Sequence, residues 1–132
     1  MALLREYKEI AYQWGIWKTE ESPEELLALL PDPERYEQQL TLFSSPHRKL
    51  EWLSVRVLLY QLLGEEKTIE YAPSGKPHLA DSSYFISISH TRGYVAVILS
   101  AVSEVGIDIE QYGQRVHKVA HKYMRPDELI SE

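Results

Sequence analysis

Two acids lie two residues apart within the apolar run Val105-Gly106-Ile107-Asp108-Ile109-Glu110, a spacing that suits a divalent cation bound to a phosphate substrate. In a strand, alternate residues face the same side, so Asp108 and Glu110 are expected to project together while Ile107 and Ile109 enter a core. Two carboxylates this close repel each other and call for a cation. Mg²⁺ prefers hard oxygen ligands, takes one or two protein carboxylates, and leaves its other positions to water and substrate phosphates. Asp108 and Glu110 are therefore the candidate metal ligands. The plainer alternative for such residues is a pair of acids on the solvent face of a half-buried strand.

A second group of polar side chains comes shortly before. Tyr84-Phe85-Ile86-Ser87-Ile88-Ser89-His90-Thr91 alternates apolar and small polar residues and ends in hydroxyls and an imidazole. Ser89, His90 and Thr91 supply hydrogen-bond donors suited to a phosphate, ahead of Arg92 and a turn at Gly93. The apolar run Tyr94–Ser100 then reads as a strand buried on both faces. A turn over Ala101 to Glu104 leads into the acid pair. These three segments are expected to form an antiparallel meander, which brings the donors and the carboxylates together if the register allows.

The elements that must position these groups are legible further upstream. Ile10 to Trp17 alternates, with Ile10, Tyr12, Trp14 and Ile16 on one face of a strand. Ser22-Pro23-Glu24-Glu25 opens a short helix with a capping box, stopped by Pro31-Asp32-Pro33. A second helix runs from Asp32-Pro33 to about Leu42. A third runs from Ser45-Pro46 to Leu63 and ends at Gly64, with Leu50, Leu53, Val57 and Tyr60 at helical spacing, and it is expected to pack on the sheet. Thr68 to Tyr71 reads as a short strand, followed by the turn Pro73-Ser74-Gly75 that presents Lys76. Val116, Val119, Ala120, Tyr123 and Met124 predict an amphipathic helix from about Arg115. Isolated from context, Lys76 reads as an exposed loop lysine and His90 as a hydrogen-bonded strand-end histidine.

Taken together and in order, Gly75-Lys76-Pro77, Ile88-Ser89-His90-Thr91, Tyr94-Val95-Ala96-Val97, Gly106-Ile107-Asp108-Ile109-Glu110 and Lys118-Val119-Ala120 resemble the 4′-phosphopantetheinyl transferase superfamily, in the spacing of its two-lobed members. The resemblance implies an α+β lobe with an antiparallel sheet packed against helices. It implies a Mg²⁺-dependent enzyme that moves the 4′-phosphopantetheine arm of coenzyme A onto a serine of an acyl or peptidyl carrier protein. Asp108 and Glu110 match the metal-binding acids of that family, and Lys76, Ser89 and His90, followed by Thr91, match the segment that contacts coenzyme A phosphates. Arg48, Lys49 and Arg56 are the candidates for the basic residues that border the nucleotide, and the resemblance does not separate them.

Two-lobed relatives carry a further W-x-x-K-E-A-x-x-K-type helix that supplies a third metal ligand or base and a lysine. The chain reaches Glu132 without such a segment, so residues 1–132 are expected to be a single lobe, the N-terminal half of a pseudo-dimeric enzyme. The catalytic base is then expected in the missing half, and this chain to be a truncated, weakly active or inactive form. A homodimer replacing the absent lobe, through an exposed apolar surface, is a further expectation.

Composition narrows the class. At 132 residues and 44% hydrophobic, the chain fits one domain with a real core. It contains no cysteine, which fits a cytoplasmic setting. No apolar stretch suits a membrane span and the first residues lack a signal-peptide pattern. The net charge of −6 argues against general nucleic-acid binding. Acids outnumber bases before residue 45, so an acidic carrier protein is expected to approach elsewhere, at Arg115, Lys118, Lys122 and Arg125. Two alternatives stand beside the transferase: a non-catalytic module that binds coenzyme A or a carrier protein, and a Mg²⁺-dependent phosphohydrolase built on the acid pair.

Overall fold

The computed structural model describes residues 3–8, 12–112, 115–122 and 129–131, with side chains described for Glu6, residues 12–107 and Ile109. In chain order the elements are β1 (Leu3–Lys8), β2 (Tyr12–Lys18), α1 (Pro23–Ala28), α2 (Glu34–Leu40), α3 (Pro46–Leu63), β3 (Ile69–Tyr71), β4 (Pro77–Leu79), β5 (Phe85–Thr91), β6 (Tyr94–Ser100), β7 (Val105–Tyr112), β8 (Arg115–Lys122) and β9 (Leu129–Ser131). The expected α+β lobe is present, three helices with an antiparallel sheet packed against them.

Local chemistry sets the helix ends. At α1 the capping box closes as the sequence predicts: the Glu25 N–H donates to Ser22 Oγ at 3.2 Å and the Ser22 N–H to Glu25 Oε1 at 3.0 Å. Ser45 caps α3, accepting from the Arg48 N–H, and Gly64 ends it in the left-handed region at φ 72°, a conformation that favours glycine. The start of α2 is held differently from a side-chain cap. Glu66, just beyond α3, accepts from the Asp32 backbone N–H at 2.9 Å and from the Tyr36 hydroxyl at 2.7 Å. Burial, and then the Glu66 carboxylate beside it, pushes the Tyr36 phenol well above its ordinary pKa.

The main sheet has the order β1-β2-β6-β5, and its central strand β6 is buried on both faces as expected. Val95, Val97 and Leu99 join Trp17, Ile86 and the buried face of α3, with Leu53, Val57 and Leu58, in the larger core. Ala96 and Ile98 face the other way and pack with Trp14 and Ile16 against Val105, Ile107 and Ile109 of β7. The sheet is thus sandwiched between a helical layer and a strand layer.

The expected three-strand meander is corrected here. β5 and β6 do form an antiparallel hairpin, from Phe85↔Ser100 to Thr91↔Tyr94, but the other neighbour of β6 is β2, from Tyr12↔Ser100 to Lys18↔Tyr94. β7 leaves the sheet and starts a separate three-stranded one, β7-β8-β9, while β3 and β4 pair antiparallel as a two-stranded hairpin of their own. An alternating apolar pattern fixes which side of a strand is buried without fixing its neighbour, and Gln13 to Trp17 offered β6 a partner as good as β7.

The predicted helix from about Arg115 is also corrected. β8 pairs with β7 in full register, from Val105↔Lys122 to Tyr112↔Arg115. Val116 and Val119 are β-branched and suit a strand, and a two-residue connection beginning with Gly113 is a hairpin signal that the helical spacing concealed. Tyr123 and Met124, the end of that helical reading, lie outside the described residues, as do Ile10 and Ala11 of the first predicted strand. Besides β8, the strands β1, β4 and β9 were not anticipated.

Candidate functional site: an arginine-bearing cleft

A cleft of about 640 Å³ opens between α3, the β3–β4 hairpin and the ends of β5 and β6. Its walls include Phe43, Trp52, Val55, Ile69, Tyr71, Ile88 and Val95, and it is lined as well by Arg48, Glu51, Arg56 and the imidazole of His90. Three residues singled out from sequence, Arg48, Arg56 and His90, therefore meet at one place although they come from α3 and β5. Lys49 lies on α3 without lining the cleft.

Arg56 is the unusual member. Only 7% of it is exposed, and burial pulls its pKa below the ordinary arginine value while the adjacent Tyr71 pushes the other way. A buried cation is costly unless it is paired. Among the described residues no carboxylate pairs with it. Its guanidinium lies over the Trp52 ring, 4.0 Å from the centroid, and donates to the Trp52 carbonyl at 3.3 Å and the Tyr71 hydroxyl at 3.4 Å. Aromatic faces offset part of the desolvation without neutralising the charge. Trp52 is itself fixed edge-on by Tyr36, with centroids 5.9 Å apart. Arg48 lies over Phe43 at 5.6 Å, so both arginines are held by rings rather than acids.

Glu51 ties the two sides of the cleft. Its carboxylate is 2.6 Å from His47 Nε2 within α3 and 3.3 Å from His90 Nδ1 on β5. Sequence reasoning missed Glu51, Trp52 and Tyr71. The signal was there in the four-residue spacing of His47 to Glu51 and of Trp52 to Arg56, which puts each pair on one helix face.

Lys76 follows Gly75, which takes φ 89° in the turn between β3 and β4. It lines a second cleft of about 400 Å³ together with Glu104, to which its ammonium is bonded at 3.1 Å. Both side chains are largely exposed, so the pair is weak. The Ser89 hydroxyl accepts a hydrogen bond from the Ile109 N–H at 3.2 Å, as Ser87 does from Ile107 at 3.3 Å. Thr91 pairs with Tyr94 at the hairpin end. Neither Ser89 nor Thr91 lines the larger cleft.

Asp108 and Glu110 occupy alternate positions of β7, opposite Val119 and His117 of β8. Their side chains lie outside those described. Alternate strand positions and hard oxygen donors fit Mg²⁺ in chemistry. Among the described residues, no group of three His, Asp or Glu is arranged to hold a metal ion. Arg115, Lys118 and Lys122 fall on strand β8 rather than a helix, and Arg125 lies outside the described residues.

The fold and cleft define an α+β lobe with a cationic, aromatic-walled recess. Over a 64-residue stretch the chain is 38% identical to the 4′-phosphopantetheinyl transferase AcpT of Salmonella typhi, and equally to the enzymes of that name in Salmonella typhimurium and Escherichia coli K12. The stretch covers 48% of this chain and 33% of each relative, so the chain matches about a third of their length. No protein-family model matches it. The resemblance carried by the motifs is thus borne out as a distant, partial similarity to the 4′-phosphopantetheinyl transferases. Among the described residues no helix is long and apolar enough to cross a membrane.

Proposed function

We propose that this chain is a lobe of a Mg²⁺-dependent 4′-phosphopantetheinyl transferase, acting in the cytoplasm, and that the larger cleft receives the nucleotide end of coenzyme A. The observation that carries the reading is Arg56, a buried guanidinium that lines a cleft, stacks on Trp52 and lacks a carboxylate among the described residues. Such a group suits a phosphate, which would supply the missing negative charge. Arg48 and His90 border the same space, and Trp52, Phe43 and Tyr71 suit the flat faces of a purine. Lys76 swings from Glu104 to a phosphate at little cost, since exposed ion pairs contribute about 1 kcal/mol or less.

In the transfer, a serine hydroxyl of the carrier protein attacks the β-phosphate of coenzyme A, the bond to the bridging pyrophosphate oxygen breaks, and adenosine 3′,5′-bisphosphate leaves. Asp108 and Glu110 would hold Mg²⁺, which when bound neutralises charge on the pyrophosphate. The arginines and His90 orient the nucleotide, so that positioning and charge balance lower the barrier. The serine proton needs a base. Glu51, the carboxylate among the cleft's lining residues, is already engaged by His47 and His90. That observation favours the alternative for this chain alone, a module that binds coenzyme A or a carrier protein without turnover.

Titration calorimetry with coenzyme A and with dephospho-coenzyme A tests the cleft. Arg56→Leu should weaken both ligands, and His90→Ala should weaken coenzyme A more if the imidazole meets the 3′-phosphate. Equal losses on His90→Ala would place His90 elsewhere, and unaltered binding by Arg56→Leu would remove the cleft from the reading. Release of adenosine 3′,5′-bisphosphate with label transferred to a carrier protein marks the transferase, binding alone the module, and inorganic phosphate the hydrolase.

A further inference from the structure

We propose that Ser87 and Ser89 are positioning residues whose hydroxyls clamp the strand bearing Asp108 and Glu110 against β5 and so set where that acid pair stands. The inference rests on the reading of Asp108 and Glu110 as metal ligands and adds to it how they are placed. β5 is the edge strand of its sheet, and β7 belongs to a different one. Among the described residues no backbone ladder joins them. Instead the Ile107 N–H donates to Ser87 Oγ at 3.3 Å and the Ile109 N–H to Ser89 Oγ at 3.2 Å. The separation is 20 residues in both pairs, so the strands run parallel at this contact, and the peptide of Asp108 is pinned on both sides.

The pattern of β5 makes this contact possible. Ile86 is buried with α3 and Ile88 packs against the same core, which leaves Ser87 and Ser89, at the alternate positions, to meet β7. Each hydroxyl that accepts from β7 keeps its own proton to donate elsewhere. Register is the point of the arrangement. Ile107 and Ile109 are buried in the smaller core, and a slip of one residue would exchange them for Asp108 and Glu110. Burial of Ile107 and Ile109 selects the register, and two acceptors spaced two residues apart, like the N–H groups that face them, tie β7 to β5 in the register so selected. The clamp also holds a strand whose two like charges disfavour its local order until a cation arrives.

The test uses the whole chain and two readouts, amide hydrogen exchange by NMR and titration with Mn²⁺ followed by broadening of β7 amides. The double variant Ser87→Ala/Ser89→Ala should speed exchange at Ile107 and Ile109 while Val97 and Ile98 of the β6 ladder stay protected, which shows that the sheet still folds. Its Mn²⁺ midpoint should rise roughly tenfold, the usual loss when groups that orient metal ligands are removed. Ser87→Thr/Ser89→Thr, which keeps both hydroxyls, should restore both values. Wild-type exchange in the alanine variant would overturn the clamp, and faster exchange with an unmoved Mn²⁺ midpoint would overturn its positioning role. Failure of the underlying metal reading looks different: Asp108→Asn would then leave the Mn²⁺ midpoint where it is, whatever the serines do.

Discussion

The two faces of the main sheet are held by different means. Against α3, β6 and its neighbours bury Trp17, Leu53, Val57, Leu58, Val97 and Leu99 in a broad apolar core. Against β7 the contact is a smaller cluster of Trp14, Ile16, Ala96, Ile98 and three residues of β7, supplemented by two serine hydroxyls. Apolar burial is non-directional and tolerates small shifts, whereas hydrogen bonds fix a register. The helical face therefore supplies most of the apolar burial and carries the arginine-bearing cleft, while the strand face, on the clamp proposed above, sets the register of the strand that bears Asp108 and Glu110.

Truncation on the helical side should cost most. Leu58 is fully buried, and Leu58→Ala should lower stability by about 3–4 kcal/mol, read from the midpoint of denaturant unfolding. On the other face Ile107→Ala should cost less, about 2 kcal/mol, because a thinner layer collapses more easily into the space. Equal losses would mean that the faces are equally firm and would erase the contrast.

Polar ties sharpen it further. Tyr36→Phe removes the shorter of two bonds to Glu66 Oε2, which keeps Arg35 at 3.4 Å, and should cost about 1 kcal/mol. This tie also has a pH signature. The phenol's pKa is higher in the folded chain than in the unfolded one, so its contribution is intact below the unfolded value of about 10 and is lost as the pH climbs toward the folded value. Wild-type stability should accordingly fall above about pH 10 by more than that of Tyr36→Phe, and parallel alkaline curves would contradict the assignment. Smallest of all, Lys76→Ala removes an exposed bond to Glu104 and should change stability by less than about 1 kcal/mol. A larger drop would make that bond structural and leave Lys76 less available to a ligand.

The sequence was most readable where a local rule suffices. The Ser22 capping box, the Ser45-to-Gly64 helix and the doubly buried β6 all follow from nearest neighbours and periodicity. It was least readable where partners are distant. Nothing in Tyr94–Ser100 says whether β2 or β7 pairs with it, and Val116, Val119 and Ala120 satisfy a helical period as well as a strand's. β4 was hidden because Pro77 reads as a turn residue, although proline is tolerated as the first residue of a strand. At the site, residue types pointed to Arg48, Arg56 and His90, but their convergence needed the packing of α3 beside β5. The capture of Glu51 by two histidines was visible only by half, as an i,i+4 pair.

Trp52 gives the cleft an optical consequence. The chain has three tryptophans; Trp14 and Trp17 are buried in the two cores, while Trp52 lines the cleft under the Arg56 guanidinium. Anything flat and charged that enters must disturb that one indole and leave the other two almost unaffected. Its emission is thus a built-in gauge of occupancy, and a protein in which Trp14 and Trp17 are replaced by Phe would report the filling of the cleft without any added label.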